Sequence, residues 1–269
     1  MQLASQSEGM RVTVLGTRGS TPVSGSDFSV FGGNTSCYLV QAGETSLILD
    51  AGSGLINAPV TFAHPPAILL SHLHVDHLLG LGMYGRITQP EATTMIYVPA
   101  SDAQDAQDSL AHLYAPPLWP VQLHSYSGNL TIDALPRAMR YGEIQVETMS
   151  GNHPGGCVCI KLRFVRKSVV YATDFEHGAE ASTRLAEFSR NADLLLYDAQ
   201  YDEDDYEAHR GFGHSTAREG IKLMERCGAK RLLLIHHDPR STDETLLGRE
   251  RALGCQQAHY AREGDTIEL

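Results

Sequence analysis

The stretch "LLSHLHVDHLLG", residues 69–80, sets three histidines and an aspartate (His72, His74, Asp76 and His77) between two runs of leucine. Imidazole and carboxylate groups enclosed by "AILL" and "LLGLG" would be buried unpaired, at a cost of several kcal/mol, unless they meet a partner. A metal ion is such a partner. In an extended segment alternate side chains share a face, so His72 and His74 can grip one ion while Asp76 and His77, in the following turn, aim at a second position. Donors of this kind, without thiolate, suit a divalent cation, with Zn²⁺ the leading expectation and Mn²⁺ or Fe²⁺ alternatives.

Four ligands cannot complete two ions, so the rest of the chain must supply others, best placed at strand ends where the backbone is rigid. Three further apolar runs close on a ligand-type residue: "EIQVETM" leads to His153, "SVVYATD" ends in Asp174 and "RLLLIH" ends in His236. The repeated design groups them with the opening stretch. The formal net charge of −11 disfavours a polyanionic partner, because nucleic-acid binders collect lysine and arginine against phosphates. Two divalent cations would bring −11 to about −7 and leave a local positive spot suited to a small anion.

The chain of 269 residues is 42% hydrophobic and 20% charged, an ordinary globular balance. A polar, flexible segment over 1–9 followed by one domain over 10–269 is expected. No apolar run is long enough to span a bilayer, and the N-terminal stretch lacks the basic and apolar regions of a secretory signal, so no membrane association and a cytoplasmic location are expected. The five cysteines, Cys37, Cys157, Cys159, Cys227 and Cys255, form no disulfide-like framework and are assigned to the core. The subunit arrangement is open, with a homodimer among the alternatives.

Strands are predicted at "RVTVLG", "SCYLVQ", "TSLILDAG", "PAILLSH" and "TMIYVP", then at "EIQVETM", "CVCIKLRFV", "SVVYATD", "ADLLLYDAQ" and "KRLLLIHHDP". Helices are predicted over 101–114, capped by Ser101 or Asp102, over 181–190, and over 215–228. In the last of these, Thr216 and Glu219 have capping-box spacing, Gly228 marks the end, and Ala217, Ile221, Met224 and Cys227 would share a buried face. Residues 100–141 read as a helix-and-loop insertion and "YDEDDYE" as a solvated acidic loop. Many short strands with few helices suggest two sheets packed together with helices outside.

The HxHxDH pattern of His72, His74, Asp76 and His77, with the ordered later residues, resembles the metallo-β-lactamase fold superfamily from about residue 11 onward. The resemblance implies an α/β fold, the αββα four-layer sandwich. It implies that His72, His74 and His153 hold one metal, that Asp76, His77 and His236 hold the second, and that Asp174 bridges them. His236 rather than His237 follows from aligning "RLLLIH" with the family's strand-then-histidine pattern, with His237 left as a donor behind the ligands or a surface residue. Asp50 in "LILDAGSG" resembles an early motif of the family and would support a ligand histidine, with Gly52 and Gly54 allowing a tight turn.

The fold hosts several chemistries, so details must choose among them. An aspartate at 174 argues against the β-lactamase branch. The segment from Asp198 to the "HST" beginning at His214 resembles ribonuclease Z and related phosphodiesterases, and "GTRGSTPV" with "FGGNTSC" resembles a bacterial cyclic-nucleotide phosphodiesterase-like subgroup. Phosphodiester hydrolysis needs a nucleophile, charge neutralisation and a proton for the leaving oxygen. A hydroxide shared by two cations would serve the first two. His214, held by Asp198, would donate the proton, with the start of a helix beside the phosphate and Asp76 orienting the attacking water. Arg18 and Asn34 are weak candidates for substrate contacts.

The expected substrate is a small phosphodiester, such as a cyclic nucleotide or short nucleotide diester. tRNA or another long nucleic acid is disfavoured by the charge and by the lack of a basic, glycine- and proline-containing arm. Two alternatives are a thioester or lactone hydrolase on the same centre and a non-catalytic, nucleotide-sensing module. A flavin-coupled di-iron redox role fits less well with a histidine-rich ligand set.

Overall fold

The computed structural model describes residues 9–269, so the expectation of flexibility over 1–9 lies outside the described residues except at Gly9. The first half contains β1 (Met10–Gly16), β2 (Cys37–Ala42), β3 (Thr45–Leu49), β4 (Ala67–Leu69), β5 (Thr93–Val98), helix α1 (Ala103–Leu113) and β6 (Asn129–Ala134). Next come β7 (Ala138–Tyr141), β8 (Ile144–Ser150), β9 (Val158–Phe164), β10 (Lys167–Ala172) and helix α2 (Ala179–Phe188). The chain continues through β11 (Leu194–Asp198), the short α3 (Glu203–Tyr206), α4 (Ala217–Cys227) and β12 (Leu232–Ile235). It ends with α5 (Asp243–Ala252), β13 (Ala258–Tyr260) and β14 (Thr266–Glu268).

The strands form two mixed seven-stranded sheets, ordered β14-β1-β2-β3-β4-β5-β6 and β13-β12-β11-β10-β9-β8-β7. Their facing sides share one core, in which Val40, Leu47, Leu49 and Leu69 of the first sheet join Val146, Leu162, Val169, Leu196 and Ile235 of the second. On the outer face of the second sheet, Val170, Leu195 and Leu234 pack with Leu185, Leu223 and Leu246 of α2, α4 and α5. Helix α1 covers the first sheet, with Ala106 and Leu110 in one cluster with Ile48, Ile68 and Ile96. The layers are therefore helix, sheet, sheet, helix, as expected. Runs such as "LLLYD" are apolar throughout because successive residues of a central strand point alternately into two buried layers.

The expected strands and three expected helices are present, with Asp102 as the cap of α1 and Thr216 as the cap of α4. Helix α4 is rotated slightly from expectation. Gly220, Leu223, Met224 and Cys227 are its buried residues, while Ala217 and Ile221 are partly exposed. Residues 100–141 are more ordered than predicted, because they contain β6 and β7, which form one edge of each sheet. Edge strands bury less, and both alternate between exposed and half-buried residues, which weakens their apolar pattern. Helix α5 escaped prediction because only Asp243 and Leu246 are buried along it. The acidic "YDEDDYE" is largely helical rather than loop, with Asp202 accepting from the Glu203 amide at the start of α3. Cys255 is partly exposed, unlike the four buried cysteines. No helix among the described residues is long and apolar enough to cross a membrane.

Candidate metal centre

Topology explains why the ligand-type residues meet. β10, β11 and β12 are mutually parallel, and β8 shares their direction because it and β10 are both antiparallel to β9. Their C-terminal ends deliver His153, Asp174, Asp198 and His236 to one edge of the second sheet. In the first sheet β3 and β4 are parallel and lead to Asp50 and to the segment carrying His72 through His77. Asp50, Asp174 and His236 all have left-handed backbones, with φ of 60°, 49° and 62°. Such strain costs about 1–3 kcal/mol per residue and collects at functional sites, where a side chain must be aimed off the strand.

Three clusters of potential ligand atoms result: His72, His74, His153 and Asp174; Asp76, His77 and His236; and Asp174, Asp198, His214 and His236. Asp174 lies between the first two. Its Oδ1 is 3.6 Å from Nε2 of both His72 and His153, and its Oδ2 is 3.1 Å from His77 Nε2 and 3.3 Å from His236 Nε2. All seven residues expected to hold metal are thus gathered at one place.

The partners behind these rings leave particular nitrogens free. His77 donates from Nδ1 to Asp50 at 2.7 Å, and His153 donates from Nδ1 to the Gly213 carbonyl at 3.0 Å. A neutral His77 would then point its Nε2 lone pair at the carboxylate oxygens of Asp76 and Asp174, 3.2 and 3.1 Å away. Only a proton or a cation relieves that contact. Buried His72 Nε2 has no hydrogen-bond partner. The nearby Cys157 thiol donates to the Asp174 backbone carbonyl at 3.1 Å, which leaves imidazole and carboxylate as the donor set. These residues fit two divalent cations of the zinc, manganese or iron type.

The electrostatics express the same demand. Burial opposes charge on His77 and His236, but their carboxylate neighbours raise His77 well above the ordinary histidine value and His236 to about 9. Burial would raise Asp174, yet His236, His77 and His72 hold it well below the usual carboxylate range. Burial, reinforced by His77, pushes His72 well down.

Asp50 occupies the place expected of a supporting group. Besides His77, it accepts from the Ser71 amide at 2.6 Å and hydroxyl at 2.7 Å, and from the Tyr171 hydroxyl of the opposite sheet at 2.7 Å. Asp50→Ala would strand several buried donors. It is expected to lower stability by about 3–5 kcal/mol, measured as a shifted urea midpoint with an unchanged slope. Gly52 is required for close packing rather than for a turn conformation, since an added Cβ would lie 2.6 Å from the carbonyl oxygens of Asp76 and Ser36.

Asp198 and His214 are also brought together, with His214 Nδ1 2.8 Å from Asp198 Oδ2. Asp198 accepts from the amides of Asp174, Gln200 and Ser215 as well. The His214 ring stacks 4.8 Å from that of His236, at the margin of the cluster.

Three other expectations are corrected. Arg18 is fully buried and donates to the carbonyls of Gly32, Asp238 and Ser241, tying loops together instead of reaching toward a substrate. Asn34 is similarly engaged by Glu263 and Ser53. His237 is neither at the surface nor beside the ligands: it is buried, donates to the Ala261 carbonyl at 2.8 Å, and burial pushes its pKa down to about 3. Sequence reading missed Ser20, whose amide donates to Asp76 Oδ2 at 2.8 Å, and Ser71, whose hydroxyl lies 3.0 Å from His72 Nδ1. Ser71 stood beside His72 in the opening stretch and could have been noticed there.

Comparison with known proteins agrees with the architecture. The chain is 26% identical to a protein named "Ribonuclease Z" from Natronomonas pharaonis, across 97% of this chain and 98% of the relative. It is also 26% identical to "Probable metallo-hydrolase YhfI" of Bacillus subtilis, across 96% and 100%. The crystal structure of that metallo-β-lactamase fold protein superposes with a TM-score of 0.72 at 24% identity, covering 97% of this chain and 99% of the other. A diphosphatase of the PhnP family gives 0.72 at 20% identity, covering 97% and 98%. The model of the beta-lactamase superfamily domain matches residues 45–237, well over half the chain and every residue of the convergent cluster, and this chain therefore belongs to that family.

Proposed function

We propose that this metal-dependent hydrolase is a dinuclear phosphodiesterase acting on a small substrate such as a cyclic nucleotide or a short nucleotide diester. The observation that carries the reading is the Asp198–His214 pair set against the ligand cluster. Relatives named for ribonuclease and diphosphatase activity support bond breaking at phosphorus.

His72, His74 and His153 would hold one cation and Asp76, His77 and His236 the other, with Asp174 between them. Such a pair supplies Lewis acidity and concentrated positive charge against phosphoryl oxygens. The chain's own groups do the rest. Asp198 accepts a hydrogen bond from Nδ1–H of His214, which leaves Nε2 as the nitrogen that faces substrate. His214, its ring held by that hydrogen bond, donates a proton from Nε2 to the departing oxygen. Asp76 helps orient the attacking water. Helix α4 begins at Ala217, close behind His214, and turns its positive end toward the same region.

The net charge of −11 favours a small anion over a long one, whereas the ribonuclease Z relatives favour RNA as a second reading. Protein loaded with Zn²⁺ or Mn²⁺ is expected to hydrolyse bis(p-nitrophenyl) phosphate. Failure to do so, with turnover of thioesters or lactones, would replace phosphodiesters by those substrates. Ligand binding with no turnover of any ester would instead indicate a sensing module.

A further inference from the structure

Phe212 is a large apolar side chain left 59% exposed two residues before His214. Its backbone is fixed from both sides. The amides of Gly211 and Gly213 donate to the two oxygens of Glu176 at 2.7 and 3.0 Å, and both glycines have a φ near 90° that ordinary residues resist. The Gly213 carbonyl in turn accepts from His153, so the loop displaying Phe212 is tied directly to a candidate ligand.

Behind Phe212 the rings form a continuous series. His209 meets it edge-on at 5.6 Å, Tyr201 stacks on His209 at 4.3 Å, and Tyr201 packs edge-on against His214 at 5.7 Å. His209 is itself anchored by Nδ1 donating to the Asp205 carbonyl at 2.8 Å. A loose surface phenylalanine would need no such support. An exposed flat ring, held by a loop that is hydrogen-bonded to a candidate metal ligand, is suited to stack on another flat ring.

Resting on the phosphodiesterase reading, we propose that Phe212 is a specificity residue, a stacking platform for a nucleobase carried by the substrate. The substrate class is thereby a nucleotide diester rather than a diester of simple alcohols. Stacking of this kind tolerates any base, because every base has a π-face.

The test is binding of AMP and of ribose 5-phosphate, which lacks the base, to zinc-loaded protein by calorimetry. The wild type is expected to bind AMP more tightly than ribose 5-phosphate. Phe212→Ala is expected to weaken AMP by about tenfold or more, with ribose 5-phosphate unchanged, and Phe212→Trp to retain the preference. Equal binding of the two compounds by the wild type, or equal loss of both in the alanine variant, would overturn the platform and leave the phosphodiesterase reading standing. If neither compound binds while the protein holds its zinc, both proposals fall.

Discussion

Asp174→Ala is expected to lower hydrolysis by at least about a thousandfold, equivalent to losing several kcal/mol of metal-assisted stabilisation. In the same variant, metal uptake should fall from about two equivalents to about one or fewer, because one carboxylate faces both ligand groups. Its Oδ1 looks toward His72 and His153 and its Oδ2 toward His77 and His236, and among the described residues it is the one side chain common to these two ligand groups. Removing it also leaves those four imidazoles without the carboxylate they share. Elemental analysis of the purified variant, alongside turnover of bis(p-nitrophenyl) phosphate, reads both effects. Two tightly held equivalents in Asp174→Ala would disprove the bridging role.

For His214→Ala the expected loss depends on the leaving group. A proton donor matters when the departing oxygen is a strong base and little when it is p-nitrophenolate. Turnover of a nucleoside diester is therefore expected to fall by about 10²–10⁴-fold, with a much smaller fall for bis(p-nitrophenyl) phosphate. Metal content should stay at the wild-type level. His214 also lies within reach of Asp174, Asp198 and His236, so loss of metal in this variant would reassign it as a ligand. An equal loss on both substrates would point to electrostatic stabilisation in place of proton donation. Asp198→Asn should follow His214→Ala in direction, since the carboxylate fixes which nitrogen of His214 carries the proton.

The contrast between Arg18 and His214 shows where sequence reading loses its grip. Both are polar residues in loops near glycine, and either could have reached a substrate on that information. Tertiary contacts separate them: Arg18 is fully buried and donates to three loop carbonyls, whereas His214 sits beside the cluster with Nδ1 held by Asp198. The two adjacent histidines at 236 and 237 are separated in the same way. A left-handed backbone at His236 turns its ring toward Asp76 and Asp174, while its neighbour points to Ala261. The family resemblance singled out His236, but the letters "HH" alone do not show that His237 turns away into the core.

Sequence alone determined the layered arrangement and the identity of the gathered residues. Apolar runs long enough for buried strands, each closing on histidine or aspartate, are local patterns, and the chemistry of those side chains narrows their partners to cations. Only the tertiary structure decided which oxygen of Asp174 faces which imidazole, that Asp50 ties one sheet to the other through Tyr171, and that β6 and β7 complete the sheets. The physical reason is that a strand's periodicity is written in neighbouring residues, whereas hydrogen-bond direction and the pairing of edge strands depend on segments far apart in the chain.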